Sequence, residues 1–213
     1  MSEQKFTFEG SKGQKRKKEN IEWLRTWCVN TADESLPRVA LIGDSITEQV
    51  QNVIKRELNG KANVDYLATS YSIISSAYMG MVEKFLDDSD YALVCFNYGL
   101  HAYSVGKEDY KSAYEKVLEK ISEKSKLVVV LTTVVHNKDN SEEDPESATL
   151  IRERNECAVE LAKKFNAIID DAFTISVELG KDGKIQDGTH FNSDGIEKLG
   201  VNRANAIKLA LGL

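Results

Sequence analysis

Short apolar runs rich in β-branched residues recur along this chain, separated by longer segments with helical spacing, and this alternation restricts the fold more than any other feature. Residues 38–42 (RVALI), 91–96 (YALVCF) and 127–132 (LVVVLT) read as strands buried on both faces, with weaker strands at 64–68 and 167–169. Between them, residues 47–58, 108–124, 148–165 and 194–211 repeat apolar side chains at helical intervals, and Ser193 or Asp194 is placed to cap the last helix. Strands alternating with helices imply an α/β fold, a parallel sheet covered on both faces. An additional helix over 19–29, carrying Ile21, Trp23, Leu24 and Trp27, is expected to pack outside that unit. The division is then an N-terminal leader and packing helix over 1–35 and one domain over 36–213. Pro37 and Pro145 fall in expected loops.

The chain is long enough, at 213 residues, to bury one continuous core. With 28 Lys and Arg against 34 Asp and Glu, its net charge is −6, which gives no general attraction for nucleic acid or an anionic membrane. A basic run at Lys12, Lys15, Arg16, Lys17 and Lys18 has no aromatic residues interleaved and reads as a solvated leader. No apolar stretch is long enough for a secretory signal or a membrane span, so the expected location is the cytoplasm. Cys28, Cys95 and Cys157 are too few and too scattered for a disulfide framework or a metal site, and Cys95 reads as core.

Open parallel sheets build their sites at the carboxyl ends of strands. The first such loop reads Gly43-Asp44-Ser45 and opens a helix. A serine there meets free N–H groups and a dipole that favour developing negative charge; the plainer role is a helix cap. The segment before the last helix reads Asp187-Gly188-Thr189-His190. An aspartate three positions before a histidine, across a glycine turn, is able to orient the imidazole, and the imidazole is able to take a proton from a serine. Serine, base and orienting carboxylate are thus all present.

These two segments resemble conserved blocks of the SGNH (GDSL-like) hydrolases: LIGDSITE their first, with its nucleophilic serine, and DGTHFNSDGIEKLG their last. The resemblance covers approximately residues 38–211. It implies a three-layer α/β/α sandwich with five parallel strands, a Ser45–His190–Asp187 triad, and an esterase needing no metal or organic cofactor. Its partner would be a small-molecule ester, with an acetyl ester on a carbohydrate the first choice. Acyl-thioesterases and lysophospholipases belong to the same family and are alternatives.

The middle blocks depart from the pattern. Where the family has an oxyanion-binding glycine after the second strand, this chain has Leu67-Ala68-Thr69-Ser70-Tyr71-Ser72, and a backbone N–H of Ser70 or Tyr71 is the expected donor. Where the family has Gly-X-Asn-Asp, this chain reads Asn97-Tyr98-Gly99-Leu100-His101-Ala102. Matching glycine to glycine at Gly99 puts His101 in the donor position. Asn97 then orients the loop or caps the strand. Asp44 completes the expected oxyanion and substrate region. His136 follows the fourth strand as a surface histidine or a substrate contact, and Tyr71, Tyr78, Tyr98 and Tyr103 serve as pocket walls or as packing. Two non-esterase readings stay open: a ligand-binding domain of the same fold without turnover, and a flavodoxin-like nucleotide or flavin binder. The latter is opposed by the lack of a phosphate-cradling glycine loop.

Overall fold

The computed structural model describes residues 18–139 and 142–213, so most of the basic run lies outside the described residues. Its elements are β1 (Leu24–Trp27), β2 (Arg38–Gly43), α1 (Ser45–Glu57), β3 (Asn63–Thr69), α2 (Ser76–Asp87), β4 (Tyr91–Phe96) and α3 (Lys107–Ser122). They continue with β5 (Lys126–Val130), α4 (Pro145–Lys164), β6 (Ile168–Asp170), α5 (Ala172–Leu179), a 3-10 turn (Lys181–Gly183) and α6 (Ser193–Leu211). The sheet order is β1-β3-β2-β4-β5-β6. Strands β2 to β6 are parallel; β1 alone is antiparallel, on the outer edge of β3.

Why the apolar runs are continuous is clear from where alternate residues go. Val39 and Leu41 of β2, Leu93 and Cys95 of β4, and Val128 and Val130 of β5 share one core with Ile46, Val50 and Ile54 of α1 and Leu199 and Ile207 of α6. Their neighbours Ala40, Ile42, Val94, Phe96, Leu127 and Val129 face the opposite core, against α2, α3 and α4. A strand buried on both faces has no polar side to alternate with. This is a three-layer α/β/α sandwich. Helices α1 and α6 cross closely because Gly200 lets Val53 in: a Cβ there would lie 2.5 Å from Val53 Cβ.

Three expectations change. Residues 19–29 form no helix; Leu24 to Trp27 pair with Thr69 to Tyr66 and add a sixth, antiparallel strand. The apolar stripe that suggested a helix stays outside, with Ile21, Leu24 and Trp27 exposed. The open edge of β3 offered unpaired backbone groups, and a Thr- and Trp-containing segment satisfies them as a strand. Pro145 opens α4, where its missing N–H costs nothing, instead of sitting in a loop. Asn192, not Ser193 or Asp194, caps α6, accepting from the N–H groups of Asp194 and Gly195 at 3.1 Å each. Helices α2 and α5 are additional, and Cys95 is buried in the core.

Candidate active site

β2 lies between β3 and β4, so successive crossovers leave it in opposite directions and its carboxyl end opens a crevice. Ser45 stands there as the first residue of α1. The cap is Asp44, whose Oδ1 accepts from Ile46 N–H at 2.9 Å. Ser45 is therefore not spent on capping, and its own N–H belongs to the unpaired first turn. Asp44 is only 2% exposed, with Oδ2 unpartnered, so it shapes the start of α1 and does not face a substrate as expected.

His190 Nε2 lies 2.8 Å from Ser45 Oγ, and His190 Nδ1 lies 2.6 Å from Asp187 Oδ2. The other carboxylate oxygen of Asp187 accepts from the N–H groups of Thr189 and His190, both at 2.9 Å. Burial alone would raise the Asp187 carboxyl, but the hydrogen bonds from the His190 ring and these two N–H groups outweigh it and hold it below its ordinary value. It stays an ionised acceptor, which requires the proton on His190 Nδ1 and leaves Nε2 to receive the serine's.

The turn that carries Asp187 and His190 is braced on three sides. Gly188 has φ +71°, and a Cβ there would lie 2.1 Å from His136 O, so only glycine fits. His136 N–H donates to Gly188 O at 2.9 Å. The His136 side chain is buried, with burial lowering its pKa first and Lys184 adding to that. It is thus neither a surface residue nor open to substrate. Lys184, 7% exposed, donates through Nζ to Val134 O at 2.9 Å and Thr189 O at 2.8 Å, and lies over the Phe191 ring. Burial pushes this ammonium down to about 7, against the attraction of Asp187 and Asp44. Gln49 of α1 exchanges two 3.2 Å hydrogen bonds with the Phe191 backbone and so couples the serine's helix to the histidine's strand-like segment.

The expected oxyanion donors fare differently. Ser70 N–H donates to Trp23 O at 3.2 Å, and Ser70 Oγ bonds Trp23 N–H and Ile21 O. Tyr71 N–H donates to Thr69 Oγ1 at 3.2 Å. Both N–H groups are taken, that of Ser70 by the N-terminal segment at Trp23 and that of Tyr71 by Thr69 within the loop itself. Asn97 caps its strand: its amide donates to Val130 O and Thr132 Oγ1. Gly99 is required by close approach, since a Cβ there would lie 1.7 Å from Thr132 Oγ1. His101 turns Nδ1 to Glu19, and among the described residues its Nε2 has no hydrogen-bond partner. Of the tyrosines, Tyr78 and Tyr98 are buried packing, while Tyr103 is exposed.

Glu19, Gln49, Arg154 and Lys184 were not anticipated. Gln49 is one helical turn beyond Ser45, a signal within reach of the sequence; the others act across the fold. Among the described residues no three His, Cys, Asp or Glu side chains come together to hold a metal ion. A cavity of about 780 Å³ lies at the opposite end of the strands beside Pro37, Arg38 and Tyr91, away from Ser45.

No protein-family model matches the chain, and no curated protein matches it by sequence. Solved structures do. A lipase/acylhydrolase of Enterococcus faecalis superposes with a TM-score of 0.63 at 18% identity, over 81% of this chain and 96% of its own. A GDSL-like lipase of Parabacteroides merdae gives 0.61 at 14%, over 83% and 95%. An acetylxylan esterase of Geobacillus stearothermophilus gives 0.64 at 12%, over 83% and 94%. The fold is that of the SGNH (GDSL-like) hydrolases. In that SGNH fold Ser45, His190 and Asp187 come from opposite ends of the sequence into one hydrogen-bonded chain. Among the described residues no helix is long and apolar enough to cross a membrane.

Proposed function

We propose that this protein is a serine esterase that removes a small acyl group, acetyl by preference, from a hydroxyl of a polar alcohol such as a carbohydrate. The observation that carries the reading is the unbroken hydrogen-bond chain from Ser45 Oγ through His190 to Asp187. Ser45 Oγ attacks the ester carbonyl while His190 Nε2 takes its proton; the tetrahedral oxyanion is held by the Ser45 N–H in the unpaired first turn of α1. His190 then gives the proton to the departing alcohol, and a water activated by the same nitrogen releases the acid from the acyl-enzyme. Asp187 keeps the ring in the required tautomer, and the reaction uses neither a metal nor an organic cofactor.

The acyl preference rests on two supports. The side chains of His190 and Asp187 are 32% and 38% exposed, so among the described residues no apolar lid closes over them. A structure with the same fold is an acetylxylan esterase. One observation favours a competing reading, a ligand-binding domain without turnover: the N–H groups of Ser70 and Tyr71 and the Asn97 amide are all engaged elsewhere. A fluorophosphonate probe separates the two. Wild type is expected to label at Ser45, Ser45→Ala to show no labelling, and p-nitrophenyl acetate to be cleaved faster than longer-chain esters. A folded wild type that neither labels nor hydrolyses acetyl esters rejects the proposal.

A further inference from the structure

Ser45, Gln49 and Val53 follow one another at four-residue steps and so lie along one stripe of α1. Each meets a successive point of the segment that carries the base and runs into α6. Ser45 Oγ lies 2.8 Å from His190 Nε2, Gln49 pairs with the Phe191 backbone, and Val53 packs where Gly200 has no Cβ. Two elements far apart in sequence are thus laid side by side in one register, with nucleophile and base as its first rung.

Phe191 turns its polar groups to Gln49 for a reason in the backbone. Its neighbours are paired the other way: Ile185 N–H donates to His190 O and Asn192 N–H donates to Gly183 O, both at 3.0 Å, so that Lys184 and Phe191 form an isolated antiparallel bridge. In such a pair the middle residue's own N–H and C=O point away from the partner segment. Phe191 is 1% exposed, so these two groups need a partner within the protein. The Gln49 amide supplies it for both: Oε1 accepts from Phe191 N–H and Nε2 donates to Phe191 O, each at 3.2 Å. A side-chain amide takes the place of a neighbouring strand.

The other backbone groups around the base are held from its own segment. Asp187 Oδ1 takes the N–H groups of Thr189 and His190, Lys184 Nζ donates to Thr189 O, and Ile185 N–H donates to His190 O. These bonds fix His190 relative to Asp187; they do not fix it relative to Ser45. Further along α1, the Val53–Gly200 contact is apolar and has no preferred direction. The ion pair of Arg56 with Glu197 is exposed on both sides, a setting in which such pairs contribute little. Directional bonds close to the reacting atoms come from Gln49.

Resting on the esterase reading, we infer that Gln49 is a positioning residue of the active site: by pairing with the Phe191 backbone it locks the register of α1 against the base's segment and keeps His190 Nε2 within proton-transfer reach of Ser45 Oγ.

The test compares Gln49→Met and Gln49→Glu with wild type in the full chain, with p-nitrophenyl acetate as substrate and at temperatures well below each melting midpoint. Methionine keeps the length and the helix preference but offers Phe191 neither bond. Gln49→Met is expected to lower kcat roughly 10–100-fold with KM little changed, the size of a catalytic group misplaced by about 1 Å, and to slow fluorophosphonate labelling of Ser45 by a similar factor. Glutamate keeps an acceptor for Phe191 N–H, but its second oxygen donates to Phe191 O only when protonated. The kcat of Gln49→Glu relative to wild type is therefore expected to fall at least about 3-fold from about pH 5 to about pH 8, while that of Gln49→Met stays constant within about 2-fold. Glu197→Gln, which removes only the exposed ion pair between the helices, is expected to leave kcat within about 2-fold of wild type.

A wild type that labels and hydrolyses while Gln49→Met matches its kcat and labelling rate overturns the inference, even where the melting midpoint falls, because Gln49 then only stabilises. A Gln49→Glu ratio that ignores pH overturns it too, and decides alone if Gln49→Met does not fold. So does a loss in Glu197→Gln as large as that in Gln49→Met, since any contact between the helices would then serve. A wild type with neither labelling nor hydrolysis overturns the esterase reading and this one together.

Discussion

At Asp187 the two carboxylate oxygens have separate duties. Oδ1 serves the N–H groups of Thr189 and His190, and Oδ2 serves the imidazole. An asparagine at this position must keep its oxygen on the two N–H groups, which turns its NH2 toward His190 Nδ1. The ring is then driven to the tautomer with its proton on Nε2, unable to accept from Ser45. Asp187→Asn is therefore expected to reduce kcat by roughly 10⁴-fold with little change in thermal midpoint. Ester turnover measured beside a melting curve checks it; a loss below about 10-fold would show that the carboxylate is not needed to set the tautomer. The meeting of Ser45, Asp187 and His190, the proposed triad, was legible because each block is local: a strand, a tight turn and a helix start set where each side chain stands. The oxyanion donors were not, because a backbone N–H is identical in every residue and only its partner reveals whether it is free.

Among elements, α4 has a part that its amphipathic pattern conceals. Its core-facing residues include Arg154, which bridges from the helix to three carbonyls of the loop after β4. A lysine keeps the charge but lacks the planar fork needed to span them. Arg154→Lys is expected to cost about 1.5–3 kcal/mol in urea unfolding. Unchanged stability would show that the carbonyls find other donors. The N-terminal segment teaches the complementary lesson. Ile21, Trp23, Leu24 and Trp27 repeat at intervals a helix would use, yet β1 forms because β3 has an open edge. Periodicity reports which side chains are apolar; it does not report an unpaired strand elsewhere in the fold. Helix α2 shows the pattern in weaker form: Tyr78, Met79, Val82 and Phe85 are buried at helical spacing, interrupted by Gly80.

For the whole molecule, Lys184 couples stability to pH. Its ammonium is pushed down to about 7 in the fold, while an unfolded lysine titrates near about 10.4. Between these values the unfolded chain binds more protons, so this residue makes stability rise with pH from about 7 toward about 10, and adds no slope below that window. Lys184→Met removes the effect along with the bonds to Val134 O and Thr189 O. Urea unfolding at pH 6.5 and 9 is expected to show wild type gaining on Lys184→Met at the higher pH, by on the order of 1.4 kcal/mol per pH unit at the steepest. A constant difference between the two proteins would mean that Lys184 keeps its proton throughout, held by the two carbonyls and the Phe191 ring.

What local sequence determined by itself was the layered α/β architecture and the candidate triad of Ser45, Asp187 and His190, because β-branched runs, helical spacing and tight glycine turns act over a few neighbouring residues. Tertiary structure decided what surrounds them: that residues 19–27 hold an edge strand in place of a helix, that Ser70, Tyr71 and Asn97 spend their donors on the scaffold, and that Glu19, Arg154 and Lys184 hold the loops after β4 and before α6. Those outcomes depend on which backbone groups remain unpaired once the sheet has formed. That is a property of the assembled fold, and no window of sequence contains it.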